Sequence, residues 1–207
     1  MSVRAFFSDE SKRGVAAAIA DAEQHTSAEI VAAVRRNSDP LSDVAYILAL
    51  SVGLAVLSFV LFSEREFPVA TIPLDVLVPF AIAATLLRGM PGALRYFVPS
   101  SRLDRAVGRH AKAAFVDLGI SRTRERTGIL VFVSMAERRV VVVPDIGVHH
   151  AEAGLAWTEA IAVLHAAVNE TNTDLFFEGL RLLGKALADV NPRREDDINE
   201  LPDEMST

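Results

Sequence analysis

Two uninterrupted apolar runs dominate the pattern of hydrophobic and polar positions. Val44–Phe62 (VAYILALSVGLAVLSFVLF) carries no charge. At about 1.5 Å per residue, a helix of that length spans roughly 28 Å, close to the hydrocarbon thickness of a bilayer. The polar turn Ser63-Glu64-Arg65-Glu66 separates it from Phe67–Leu87, which is apolar apart from Asp75 and ends at Arg88. The pattern predicts two membrane-spanning helices joined by a very short loop. A pair of buried core helices is the alternative, but core helices of that length usually carry a polar stripe and these carry none. Pro68, Pro73 and Pro79 weaken the second run, because proline removes a donor from the helical ladder. Asp75 costs about 2.5–3.5 kcal/mol at the centre of a span. In the first turn of a helix starting near Leu74, its carboxylate would suit the helix N-terminus.

Outside this hairpin the periodicities are shorter. Phe6-Phe7 precede Ser8, a good N-cap, and Val15, Ile19 and Ala22 recur at helical spacing, so Asp9 to about Gln24 is predicted as an amphipathic helix. Glu29–Arg35 reads as a strand and Asn37–Pro40 as the break before the hairpin. After the break Arg88–Gly92, a helix starts at Pro99-Ser100-Ser101 and stops at Gly119. Leu103, Val107, His110, Ala111, Ala114 and Leu118 share one face of it; Arg102, Arg105, Arg109 and Lys112 share roughly the opposite one. Gly128–Ser134 and Arg139–Pro144 are near-continuous apolar strands joined tightly enough to demand an antiparallel hairpin, with cover on both faces. Trp157, Ile161, Leu164 and Val168 mark one further helix, and Thr173 caps another whose face is Phe176, Leu180, Leu183, Leu187 and Val190.

This order places the apolar hairpin between a first strand and the helix that would cross over to the second. Residues before and after the hairpin must then meet on one side of the membrane to complete one core. The expected division is 1–40 and 93–190 for the soluble α/β domain, 41–92 for the transmembrane hairpin, and 191–207 for an acidic disordered tail. Removing the hairpin from 207 residues leaves enough chain for one compact domain. Cysteine is absent, so disulfide and thiol chemistry are excluded. The polar first forty residues predict no cleavable signal peptide, leaving the first span to target the chain.

Charge adds an orientation. From Arg88 to Arg139 there are 11 Lys/Arg against 4 Asp/Glu; from Val140 to Thr207 there are 4 against 13. The basic stretch starts where the second span ends, and Arg35-Arg36 precede the first. Positive residues stay on the cytoplasmic side, so both termini and the soluble domain are expected there, in an integral membrane protein of two spans. The basic stripe Arg102, Arg105, Arg109 and Lys112 is a candidate for anionic lipid headgroups, at roughly 1 kcal/mol per cation. Nucleic-acid binding is not expected, because the basic region has few aromatics to stack on bases.

The chain resembles the TPM-domain family, which groups thylakoid-lumen acid phosphatases, photosystem II repair proteins, an animal receptor modulator and many bacterial membrane proteins. The resemblance rests on the opening helix running into Thr26-Ser-Ala-Glu-Ile30, on Thr127–Arg139, on the Val-Pro-Asp-Ile-Gly147 strand exit and on Asn199-Glu-Leu-Pro-Asp203. Ala28 stands where the family has a glycine, and the hairpin interrupts what is often one continuous domain. The resemblance implies an α/β, helix–sheet–helix sandwich around a small mixed sheet of three or four strands, here interrupted by the inserted transmembrane helical hairpin. It implies no single activity.

One constellation carries candidate chemistry. Asp145, Gly147, His149, His150 and Glu152 follow the end of a buried strand, a place where open sheets hold ligands. Asp145, His149, His150 and Glu152 could bind a divalent metal, and Asp145, His149 and Glu29 could supply acid–base groups. No cofactor is otherwise expected. The leading expectation is a non-catalytic interaction module serving an unknown membrane-protein partner. A metal-assisted phosphatase centred on Asp145 is the alternative, and ion passage around Asp75 a third.

Overall fold

In the computed structural model, residues 6–39, 41–193, 200–201 and 205–206 are described. The chain divides into two compact units, one of residues 1–38 and 104–207, the other of residues 39–103.

The first unit is a three-layer α/β sandwich. Its sheet has the order β1 (Glu29–Arg35), β2 (Gly128–Ser134), β3 (Arg139–Pro144). β1 and β2 are parallel, with Glu29 opposite Gly128 and Arg35 opposite Ser134; β2 and β3 form the expected antiparallel hairpin. Every residue of β2 is buried, because side chains alternate between two covered faces. On one face Ile30, Ala32, Val34, Ile129, Val131 and Val133 pack under helices α1 (Asp9–Glu23), α6 (His150–Glu170) and α7 (Thr173–Leu187). On the other, Val31, Ala33, Leu130 and Phe132 pack against Val107, Ala111 and Ala114 of α5 (Ser100–Asp117) and against Ile120.

Local signals account for most of these boundaries. The Ser8 hydroxyl accepts the Ser11 N–H and so starts α1. Gly119, at φ +69°, follows the end of α5. α7 is capped by Asn172, whose side chain accepts the Leu175 N–H, so the cap falls one residue before the expected Thr173. Asn172 wins because its carboxamide reaches into the first turn while its own backbone is extended. α1 and α7 approach closely at Gly184, where a Cβ would lie 2.6 Å from Ala22.

Three expectations for this unit change. His110 is exposed, its ring Nδ1 3.0 Å from the Ala106 carbonyl, because it sits past the edge of the face that Ala106, Val107 and Ala111 bury. His150 and Glu152 belong to the first turn of α6, which is kinked at Gly154 (φ +53°). In the stretch expected as a disordered tail, Asn191, Leu201, Met205 and Ser206 are held against the domain. Met205 is buried and Ser206 bonds to β1, because the sheet edge offers unpaired backbone groups. Residues 194–199, 202–204 and 207 of that stretch lie outside the described residues.

The second unit holds helix α2 (Ser42–Phe62), helix α3 (Ile72–Arg88) and the short helix α4 (Pro91–Leu94). By length and composition α2 can cross a membrane, and only 22% of its apolar window is buried. Its buried side is small: Ala45, Ala49 and Gly53 recur every four residues, spacing that lets a second helix approach closely. Gly53 faces Val76 and Phe80 of α3 at 3.6 Å. At the other end of the pair, Arg88 donates to the Tyr46 hydroxyl (2.8 Å) and lies over its ring, so the two helices run antiparallel. Ile47, Leu50, Leu54, Phe62, Leu77 and Leu86 are exposed.

The second apolar run, with its continuous helix expected near Leu74, is helical from Ile72. α3 begins at Ile72 with Pro73 in its first turn, is 17 residues long, and is followed by a 94° bend into Pro91–Phe97. Asp75 lies in that first turn, as expected. The hairpin's compact unit also runs past residue 92, because Leu94, Val98 and Leu103 pack with Leu41 and Ala45.

Candidate functional site

Asp145 leaves β3 with its carboxylate enclosed. Arg126 donates Nε to Oδ2 (2.7 Å) and Nη2 to Oδ1 (2.9 Å), a bidentate fork, and the Ile146 N–H adds 2.8 Å to Oδ1. The Arg126 hydrogen bonds hold the Asp145 carboxyl below the usual range, against the opposing effect of burial. Both carboxylate oxygens are thus engaged by the Arg126 ion pair. It pins the Arg126 loop to the strand exit. Gly147 passes directly beneath that loop: its N–H bonds the Arg126 carbonyl (2.9 Å), and a Cβ there would meet the Glu125 carbonyl at 2.2 Å. The Asp-x-Gly pattern is thus required by close backbone approach.

Asn191 ties three loops together. Its side chain accepts the His149 N–H (2.9 Å) and donates to the Gly147 carbonyl (3.0 Å); its carbonyl accepts from the Thr26 hydroxyl (2.6 Å) and the Ser27 N–H (3.0 Å). Between these loops lies a cleft of about 290 Å³ lined by Ser27, Glu125, Thr127, Gly147, His149, Val190, Asn191 and Pro192. It sits beside the N-terminal ends of β1 and β2. The carboxyl end of β3 lies there only because β3 runs antiparallel, so the rule placing ligands beyond the carboxyl ends of parallel strands does not apply.

The predicted site residues do not converge. His149 lines the cleft, whereas Asp145, His150, Glu152 and Glu29 are not among its lining residues. His150 packs against Trp157 at 5.2 Å between ring centres. Glu152 is exposed, and buried Glu29 accepts the Leu201 N–H at 3.3 Å. Among the described residues, no group of three or more His, Asp or Glu is placed to hold a metal ion. The basic stripe divides as well. Arg102 donates to both carboxylate oxygens of Asp43 (2.7 and 2.9 Å) and to Asp39 (3.2 Å), so it fastens the foot of α2. Arg105, Arg109 and Lys112 are exposed.

A buried polar chain escaped the sequence reading. The Ser38 hydroxyl donates to Ser134 Oγ (2.8 Å), Ser134 donates to the Glu137 carboxylate, and Glu137 also accepts the Ser38 N–H (3.0 Å). All three residues are buried. The carboxylate secures the backbone leaving β1 onto the β2–β3 turn. The signal was Ser134-x-x-Glu137, the spacing of a reciprocal cap.

No protein-family model matches the chain, and no curated protein does. Among solved structures the chain is similar to the NMR structure of BA42 protein from the psychrophilic bacterium Bizionia argentinensis, with 18% sequence identity and a TM-score of 0.59. That likeness covers 99% of this chain and 97% of the other, and speaks to the fold alone.

Proposed function

We propose that this chain is a membrane-anchored, non-catalytic interaction module of the TPM-domain kind. Residues 39–103 enter the bilayer as a hairpin, and the α/β unit is held on the cytoplasmic side to engage a membrane-protein partner. The observation that carries this reading is the apolar surface of α2 and α3. Phe62 is 88% exposed, Leu61 64% and Leu86 62%, and contiguous apolar surface on this scale marks a lipid or protein interface. α3 is shorter than a full span, and Arg88, Arg95 and Tyr96 near its end suit the headgroup region. Exposed Arg109 and Lys112 add to the attraction of anionic lipid.

The interaction reading is preferred to the phosphatase because the residue meant to carry hydrolysis is committed elsewhere. Asp145 is locked to Arg126, and Ser134 is locked to Glu137. Membrane fractionation tests the anchor: the chain should stay in the pellet through alkaline carbonate washing and leave it only with detergent. Release by carbonate would end the bilayer assignment. Purified protein should show no phosphomonoester hydrolysis with magnesium or calcium, and hydrolysis abolished by Asp145→Ala would restore the enzyme.

A further inference from the structure

Among the described residues, β2 is the only strand paired with β1, which lies at the edge of the sheet. In a strand the N–H and C=O of one residue point the same way, so Glu29, Val31, Ala33 and Arg35 serve β2 while Ile30, Ala32 and Val34 turn outward. The chain covers that outer row itself. Ile30 N–H is taken by the Glu23 carboxylate (2.8 Å). Further along, Ser206 N–H donates to the Ala32 carbonyl (3.0 Å), and Val34 N–H donates to the Ser206 carbonyl (2.8 Å), as a short parallel bridge. Met205 is buried in the same apolar cluster as Ile30, Ala32 and Val34. The Ser206 hydroxyl accepts from Arg35 Nη2 at 3.2 Å. Arg35 Nη1 is sealed from solvent with no hydrogen-bond partner among the described residues. A serine hydroxyl thus satisfies one arm of a fork built for a two-oxygen acceptor.

We infer that the outer edge of β1 is a strand-addition site for an extended peptide carrying an unbranched apolar residue followed by a carboxylate. The chain keeps it closed in cis with Met205–Ser206. Backbone bonds to Ala32 and Val34 supply the pairing, the Met205 position supplies the anchor, and Arg35 selects the charge that the resident serine lacks. Among the described residues the self-contact is two backbone bonds and the Met205 side chain, so a longer segment with a better Arg35 ligand displaces it. The inference rests on the interaction-module reading and names its surface. It does not depend on the bilayer assignment.

The test uses full-length protein in detergent micelles, a variant ending at residue 199, and a full-length Met205→Asp/Ser206→Pro variant that opens the edge without shortening the chain. The probe is a fluorescent peptide with the sequence of residues 200–207, in a wild-type form and with Ser206→Asp. Both opened variants should bind the peptide at least tenfold more tightly than the wild-type protein, and the Ser206→Asp peptide should bind several-fold more tightly than its parent. The Val34 amide should lose protection from hydrogen exchange in the opened variants and regain it with peptide. Equal binding by open and closed protein overturns the inference, as does no binding to either opened variant while core amides in β2 stay protected. A full-length protein that is dimeric where the opened variants are monomeric overturns closure in cis. Failure of these tests alongside retention in carbonate-washed membranes separates this inference from the anchor.

Discussion

At the scale of single residues, the polar groups that look chemical are mostly engaged in holding loops. Asp145 is the clearest. Its carboxyl is held below the usual range by Arg126, so the ion pair stabilises the fold at pH values above the unfolded carboxyl value of 3.8. That contribution is lost as pH falls through the lower folded value. Asp145→Asn should therefore melt below wild type at pH 7, and the difference should shrink as the pH is taken below 3.8, as followed by circular dichroism. His165 works in the opposite range. Burial, and then the charge of Arg139, lower its pKa from 6.5, with Asp104 opposing. A histidine kept neutral in the fold loses stability as pH drops below its unfolded value. His165→Gln should flatten the decline in melting temperature from pH 6.5 toward pH 5, while leaving stability at pH 8 little changed.

At the scale of elements, amphipathic periodicity located nearly every helix and strand, and the misses came from competing local chemistry. β1, β2 and β3 run between the expected residues, since Val-rich segments bounded by turn residues have few alternatives. The cap of α7 moved to Asn172 because both Asn172 and Thr173 can cap and only backbone geometry separates them. Asn172→Ala should destabilise the domain by about 1 kcal/mol, the usual worth of an N-cap, whereas Thr173→Ala should forfeit no N-cap bond; urea titration distinguishes them. Pro68 and Pro73, already expected to weaken the second apolar run, fall before α3 and in its first turn, so the helix starts only at Ile72. The small-residue face of α2 went unread, although Ala45, Ala49 and Gly53 stand at the spacing of a helix contact. Gly53→Leu should force α2 away from Val76 and Phe80 of α3, read as a lower melting temperature of the protein in detergent.

At the scale of the whole molecule, the parallel pairing of β1 with β2 is the governing constraint. It joins residues 29–35 to residues 128–134 across the inserted hairpin, so both flanks of the hairpin belong to one core. An even number of crossings follows for any bilayer arrangement of this fold. Alkaline phosphatase fused at Ser2 and at Thr207 should report the same side at both ends in a bacterial host, inactive at both in the orientation proposed above, and the opposite side when inserted in the Ser63–Glu66 turn. Activity at one terminus alone would contradict the shared core.

The sequence by itself determined the elements, the antiparallel β2–β3 hairpin and the split of one α/β core by an apolar insert. These follow from periodicity and charge, which act over a few neighbouring residues. Only the tertiary structure decided what the polar side chains do. Whether Asp145 faces a substrate or Arg126, whether Arg102 meets Asp39 and Asp43, and whether Met205 and Ser206 hang free or close the edge of β1 all depend on partners distant in the chain. A side chain's chemistry is set by the charge and desolvation around it, and those arrive only when remote segments meet.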